Sequence, residues 1–150
     1  MPILSPQDHQ ALQERFRKDL KRRVTLKLFS QSTSRLFVPG RECPSCLQTQ
    51  QLLEELSSTS PLLELETIDF YNHPEVAREY GVERIPATVI TRGQASGVKF
   101  YGLPSGYEFV TMIEGIIATS QARPPLSADT RKRLRLVDQD VHIQVLVTPT

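Results

Sequence analysis

Apolar residues recur along the chain with two different spacings, and these spacings predict helices and strands in turn. Leu12, Phe16 and Leu20 are four residues apart, which predicts an amphipathic helix that starts near residue 5 and ends near residue 20. Residues 24–29 are rich in β-branched and aromatic side chains and predict the first strand. Lys27 interrupts this run, so we expect it at a sheet edge or facing solvent.

The pattern after residue 40 continues the alternation of helices and strands. In order, it predicts a helix over 43–56, a strand over 62–70, a short helix over 72–80, two strands of a hairpin over 88–91 and 98–101, and an amphipathic helix over 108–120. Strands that alternate with helices indicate a layered α/β domain. The first two strands should be parallel, joined by a right-handed crossover through the second helix.

The composition excludes several classes of function. A chain of 150 residues is long enough to bury one core without metal or disulfides, and its formal net charge of +1 gives no reason to expect a nucleic-acid partner. No stretch approaches the ~20 apolar residues that a membrane helix requires. The N-terminus also lacks a basic segment followed by an apolar run. We therefore expect a cytoplasmic protein that has no membrane partner.

Both cysteines of the chain lie in one tetrapeptide, Cys43-Pro44-Ser45-Cys46, at the predicted start of the second helix. A Cys-x-x-Cys motif or a helix N-terminus lowers a cysteine pKa from about 8.5 to roughly 3.5–7.5, and the thiolate is the form that attacks a disulfide. Cys43 lies at the exposed end and is the candidate nucleophile. Cys46 should lie one turn further along the same helix face, where it can resolve a mixed disulfide.

The two residues between the cysteines are candidates for tuning the dithiol. Pro44 restricts the loop and removes a backbone donor, and Ser45 can add a weak hydroxyl donor near the sulfurs. Because a donor near the thiolate stabilises it, both residues would shift the cysteine pKa and hence the redox couple. Arg41 and Glu42 flank the dithiol with opposite charges. They either act on the thiolate in opposite directions or are simply solvated.

A structural disulfide and half of a zinc site are the alternatives for this motif. Closing so short a loop removes little entropy from the unfolded state, which disfavours a purely stapling disulfide. A zinc site usually needs four ligands, but His9, His73 and His142 are scattered along the chain. We therefore predict no resident metal and no cofactor, while a zinc site shared between two copies stays open as an alternative.

The dithiol motif and a later Ile-Pro pair together resemble a known arrangement. A Cys-x-x-Cys that opens the crossover helix of a βαβ unit, with Ile85-Pro86 entering a later strand, is similar to thioredoxin-like proteins. Four segments resemble the first half of the glutaredoxin-like protein disulfide oxidoreductases, namely residues 84–88, 98–109, 138–141 and 147–150. That family, known chiefly from thermophilic archaea and bacteria, fuses two thioredoxin-fold units in one chain and catalyses thiol-disulfide exchange.

The resemblance implies a thioredoxin-like α/β fold, in which helices flank a central mixed sheet and an extra helix and strand follow at the C-terminus. It also implies a thermophilic origin, a cis peptide bond before Pro86 beside the dithiol, and a strand-like pairing of Ile85 with an extended substrate. The third motif residue is Ser45 where glutaredoxins commonly have tyrosine, and the glycine pair that grips glutathione is missing after residue 100. We therefore expect protein or peptide disulfides as substrates, with a thioredoxin-reductase-like flavoprotein upstream.

The C-terminal residues resemble the start of a second unit. We expect a thioredoxin-like domain over 1–122, followed over 123–150 by a linker, a helix and a strand. The strand, predicted over 141–147, should pair with this domain's own sheet or with that of a neighbouring copy, which would give a homodimer. The sequence stops where the family's second Cys-x-x-Cys would follow. Either a fragment of a two-unit protein or a short relative is therefore expected.

Three functions are compatible with these features. The first is a thiol-disulfide oxidoreductase, in which Cys43 attacks a protein or peptide disulfide and Cys46 resolves the product. The second is a redox-inactive thioredoxin-like interaction domain, as in two-unit relatives that keep one unit chiefly for structure. The third is a zinc site shared in a dimer. The presence of both cysteines favours the first function.

Overall fold

The computed structural model of the chain describes residues 2–31, 39–93, 98–121, 123 and 125–147. Its elements follow in the order α1 (Pro6–Asp19), β1 (Val24–Ser30), α2 (Cys46–Ser57), β2 (Leu63–Asp69), α3 (Pro74–Glu79), β3 (Ala87–Thr91), β4 (Lys99–Tyr101), α4 (Tyr107–Ser120) and α5 (Ala128–Leu134). The helices and strands predicted up to residue 120 are confirmed, with ends that differ by a few residues. Much of the predicted loop before the dithiol and the predicted hairpin turn, residues 32–38 and 94–97, lie outside the described residues.

Short polar and proline signals explain where several helices begin and end. Ser5 caps α1 by accepting a hydrogen bond from the backbone N–H of Asp8 at 3.1 Å, and Ser127 caps α5 in the same way. A proline occupies the first turn of α1 and of α3, where no intrahelical donor is needed. Gly81 follows α3 with a positive φ of 60°, a conformation that glycine adopts without steric cost.

The sheet has four strands in the order β2-β1-β3-β4. β1 and β2 are parallel, as predicted, whereas β3 is antiparallel to both of its neighbours, β1 and β4. The register places Ser30 opposite Asp69, Phe29 opposite Ala87 and Ala87 opposite Tyr101. We call the end at which β1, β2 and β4 finish and β3 starts the dithiol end of the sheet, because the chain continues from the end of β1 to the two cysteines.

Alternate side chains of the strands feed two separate hydrophobic clusters, as the two-residue period of a strand requires. The larger cluster joins β1 and β3 to α1, α2 and α4, with Phe16, Leu28, Leu53 and Met112 fully buried. The smaller cluster, around Phe29, packs the other face of the sheet against α3 and the segment that follows it. Helices therefore cover both faces of a mixed sheet, which confirms the predicted fold class.

Lys27 does not lie where the sequence predicted. β1 is a central strand, paired with both β2 and β3, and the Lys27 side chain is only 14% exposed. Its ammonium forms an ion pair with Glu66 and lies 5.3 Å from the centroid of the Tyr80 ring. The expectation of an edge or solvent-facing lysine is wrong because the apolar stem packs along the sheet while a carboxylate and an aromatic face accommodate the charge.

The carboxylate of Glu55 ties the N-terminal segment to α2. It accepts hydrogen bonds from the backbone N–H of Leu4 at 2.8 Å and of Ile3 at 2.9 Å, and from the side-chain amide of Gln51 at 3.2 Å. The backbone donors of Leu4 and then Ile3 are the main reason that the pKa of Glu55 lies below its ordinary value of 4.5.

Glu55→Gln is expected to lower the free energy of unfolding by about 0.5 kcal/mol at neutral pH, the size typical of charged contacts that water screens. The folded pKa lies below the unfolded value, so the stabilisation by the carboxylate is complete above about pH 4.5 and is lost as the pH falls through the folded pKa. Urea unfolding of both proteins from pH 7 to pH 3 measures the difference. A difference that grows towards low pH would contradict this account, and Glu54→Gln, an exposed neighbour, is the matched control.

The C-terminal residues are only partly as predicted. The extra helix is present as α5, but residues 135–147 form neither helix nor strand. The apolar side chains between 141 and 147 are from 67% to 97% exposed. Pairing of 141–147 with this domain's own sheet is therefore wrong, because the edge strands of the described sheet, β2 and β4, pair with β1 and β3 and not with this segment. The last three residues, 148–150, lie outside the described residues, and the division at 122 stays a prediction.

A membrane-spanning helix is not found among the described residues, since each helix there is too short or too polar to cross a bilayer.

Candidate active site

The two cysteines lie at the start of α2 and are joined by a disulfide in this structure, with 5.4 Å between their Cα atoms. The helix begins at Cys46 rather than at Cys43. Residues 44 and 45 form a turn, in which the backbone N–H of Cys46 donates to the carbonyl oxygen of Cys43 at 3.3 Å. The expectation that both cysteines share one helix face is therefore wrong, yet the turn brings the sulfurs close enough to bond.

The two cysteines differ in their access to solvent. Cys43 precedes the helix and is partly exposed, whereas Cys46 is 5% exposed and belongs to the buried side of α2. The first-turn N–H groups of α2 give its N-terminus a partial positive charge, which favours an anion there. Such a field is one of the features that make a neighbouring cysteine reactive in proteins. Of the two cysteines, Cys43 thus has the greater access to solvent.

The residues between the cysteines have distinct positions. Pro44 is exposed, and Ser45 is partly buried at the N-cap of α2, where its side chain makes no capping hydrogen bond. The carbonyl oxygen of Ser45 accepts from both the backbone N–H and the hydroxyl of Thr49, at 2.9 and 2.8 Å. These bonds fix the first turn of the helix immediately behind the dithiol.

The Ile85-Pro86 pair lies at the dithiol end of the sheet, directly before β3. The Ile85–Pro86 peptide bond is cis, as the family resemblance implied. Pro86 is buried and Ile85 is partly buried. The carbonyl oxygen of Pro86 accepts a hydrogen bond from the backbone N–H of Gly102 at 2.8 Å, so the start of β3 is held against the end of β4. The fold thereby brings 85–86 and the dithiol, about 40 residues apart in the sequence, to one end of the sheet.

Two arginine-tyrosine contacts, which the sequence pattern did not predict, flank these residues. The Arg41 guanidinium lies 4.6 Å from the centroid of the Tyr71 ring, and the Arg84 guanidinium lies 4.4 Å from that of Tyr101. Each arginine is two residues before a site residue, Cys43 or Pro86. One sequence signal could have indicated these contacts. Both tyrosines lie at the C-terminal ends of predicted strands, and the topology places these strand ends at the dithiol end of the sheet.

Among the described residues, three or more His, Cys, Asp or Glu side chains nowhere cluster in a way that could hold a metal ion.

A family model described as "Thioredoxin domain" matches residues 35–114, which is more than half of the 150 residues. The chain belongs to the thioredoxin-domain family. A thioredoxin from Methanocaldococcus jannaschii is 32% identical over 73 residues, which cover 48% of this chain and 81% of that protein. The predicted thioredoxin-like fold is confirmed, and so is its coarse identification as a thioredoxin-fold oxidoreductase.

Two solved structures resemble this thioredoxin-domain chain over most of its length. The alkylhydroperoxide reductase protein AhpF from Enterococcus faecalis is 27% identical with a TM-score of 0.73, over 87% of this chain and 59% of that one. A protein disulfide oxidoreductase from Aeropyrum pernix has the same fold, with 22% identity and a TM-score of 0.73 over 88% of this chain and 54% of that one. The chain thus spans only a little more than half the length of either protein.

Proposed function

We propose that this thioredoxin-domain chain exchanges disulfides with protein or peptide substrates through the Cys43-Pro44-Ser45-Cys46 dithiol. In the reducing direction, the Cys43 thiolate attacks one sulfur of a substrate disulfide, whose other sulfur leaves as a thiolate. Cys46, once deprotonated, then attacks the Cys43 sulfur and releases the second substrate thiolate. Two electrons pass to the substrate, and the Cys43–Cys46 disulfide forms. The same steps in reverse donate a disulfide.

The single observation that carries this proposal is the bonded pair with unequal access: Cys43 is partly exposed and Cys46 is 5% exposed. A nucleophile must meet a large substrate, whereas the resolving thiol needs to reach only the sulfur of its neighbour. A disulfide kept purely for stability would gain little, because the closed loop is so short.

Ile85 and Pro86 serve as the substrate-binding residues in this proposal. The partial exposure of Ile85 and the position of the pair at the dithiol end support it. An extended peptide that pairs with the backbone at Ile85 gains main-chain hydrogen bonds with little sequence selection. Such binding suits a protein that accepts cysteines in varied surroundings.

Pro44 and Ser45 adjust the redox potential in this proposal. Neither residue caps α2 with a side chain, so the helix N–H groups stay available to the sulfurs. About 30 mV corresponds to about 1.4 kcal/mol for a two-electron couple, so the gain or loss of one donor near the thiolate is measurable.

The partners follow from the same chemistry. The similarity to an alkylhydroperoxide reductase protein supports a flavoprotein reductase as the upstream electron source. The proposed compartment is the cytoplasm, because in a reducing environment a cysteine pair is kept for catalysis or sensing more often than as a staple. The exposed apolar segment 141–147 supports a homodimer in which this segment pairs with a neighbouring copy.

Alkylation of Cys43 as a function of pH tests the assignment. In reduced Cys46→Ser protein, the rate should follow a thiol pKa below the ordinary value of about 8.5, because α2 begins just after Cys43. Reduced Cys43→Ser protein, which keeps only the buried thiol, is the control and should react more slowly. A Cys43 that is inert near pH 7, or a faster Cys46, would remove the proposed roles. Equilibration of the wild type in a thiol redox buffer then gives the direction of exchange.

A further inference from the structure

The two arginine-tyrosine contacts lie at opposite edges of the dithiol end of the sheet. The strand order β2-β1-β3-β4 puts Tyr71, which follows β2, on one flank, and Tyr101, which ends β4, on the other. The cysteines at 43–46 follow β1 in the chain and the Ile85-Pro86 pair directly precedes β3, and both of these strands lie between β2 and β4. Arg41 and Arg84, which we call the flanking arginines, therefore bracket the site where a substrate would lie.

A cation–π contact with a tyrosine restrains each flanking arginine and leaves its charge unneutralised. A guanidinium in contact with an aromatic face through its charge still has N–H groups that can donate to another group. Neither flanking arginine forms an ion pair with a carboxylate in the described part of the chain, although both are exposed. Five N–H donors in a fixed plane match the two oxygens of a carboxylate.

An acidic residue lies beside each flanking arginine in the sequence, so net charge alone does not decide whether this surface binds acidic or basic peptides. Glu42 follows Arg41 and Glu83 precedes Arg84, which brings the formal charge of the four residues to zero. Both glutamates are exposed and take part in none of the ion pairs of the described residues. The arginines are held by the tyrosines, whereas the glutamates must be ordered by a ligand, which costs side-chain entropy.

We propose that the flanking arginines select disulfide substrates with acidic residues on both sides of the reacting cysteine. This inference rests on the proposed disulfide exchange and adds the substrate class. Three strand spacings separate β2 from β4, which is about 14 Å, and an extended peptide covers that distance in about four residues. A carboxylate two positions before the substrate cysteine and another two positions after it therefore suit both arginines at once.

Single-turnover reduction of peptide disulfides tests this selection. Three peptides of equal length carry aspartate, serine or lysine at the two flanking positions, and each has its one cysteine joined to a small chromophoric thiol. With the pre-reduced wild type, the aspartate peptide should react about tenfold faster than the lysine peptide, since each exposed ion pair contributes up to about fivefold. Arg41→Gln and Arg84→Gln should each lower this ratio about threefold, and the double variant should abolish the preference.

Arg92→Gln is the matched control, because Arg92 is an exposed arginine at the opposite end of β3. It should leave the ratio unchanged. A wild-type ratio of one, a preference for the lysine peptide, or an equal loss in Arg92→Gln would overturn the proposed selection.

Binding of the same peptides with serine in place of cysteine separates the two proposals. It is measured with the Cys43→Ser/Cys46→Ser protein. If no peptide disulfide is reduced, the proposed disulfide exchange is wrong. The binding preference alone then tests whether the flanking arginines select acidic peptides. If exchange is fast but neither rates nor binding favour aspartate, the arginine proposal fails and the exchange activity stands.

Discussion

Cys43→Ser is expected to lower the rate of protein disulfide reduction by about a thousandfold or more, because removal of a covalent nucleophile leaves no alternative group to form the intermediate. A hydroxyl at this position stays protonated near neutral pH and does not attack a disulfide. Cys46 cannot replace it, since its side chain is 5% exposed and a protein disulfide cannot approach it. Turnover of a protein disulfide with dithiothreitol as the reductant measures the loss.

Cys46→Ser is the informative comparison because it keeps the nucleophile and removes the resolving thiol. It should also lose turnover, but one equivalent of substrate should stay attached to Cys43 as a mixed disulfide, which mass spectrometry detects. The same experiment with Cys43→Ser should show no adduct. Equal turnover by wild type and Cys43→Ser would instead identify a redox-inactive interaction domain, and an adduct on Cys46 alone would reverse the assigned roles.

The local parts of the site were predictable from the sequence, because their positions follow from neighbours in the chain. The motif that holds both cysteines and the apolar stripe of α2 both lie within residues 43–56 of the sequence. Element types followed from the spacing of apolar side chains, as in α4, where Met112 falls on the buried face. Even here the predicted start of α2, at residue 43, was one turn too early. The sequence does not distinguish a turn at Pro44 and an N-cap at Ser45 from a first helical turn.

The parts that depend on strand order could not be predicted in the same way. Lys27 in β1 becomes nearly buried only because β2 and β3 both pair with that strand. Arg41 and Tyr71 are 30 residues apart, and their contact requires β1 and β2 to end at the same side of the sheet. The prediction of a strand over 141–147 failed for a related reason. The apolar character of this segment is evident in the sequence, but a strand forms only where an adjacent strand pairs with it through hydrogen bonds.

Phe16→Ala is expected to lower the free energy of unfolding by about 3–5 kcal/mol, the range for truncating a buried aromatic side chain. Phe16 is on α1, outside the residues 35–114 that match the thioredoxin-domain family, yet it is fully buried in the larger cluster. There it joins β1 and the dithiol helix α2 through residues such as Leu28 and Leu53. A domain of this size has only about 5–15 kcal/mol of net stability. The loss should therefore be large enough to shift unfolding to a clearly lower urea concentration.

Urea unfolding, followed by circular dichroism, measures this loss, with Val110→Ala on α4 as the matched control. Val110 is 57% exposed, so its truncation should change the free energy of unfolding by less than about 0.5 kcal/mol. An unchanged dependence on urea concentration in both variants would show that each unfolds as one unit. If Phe16→Ala cost less than about 1 kcal/mol, far below the range for a filled core site, α1 would be an appendage on the sheet. A loss in the expected range would make α1 part of the support on which the dithiol helix rests.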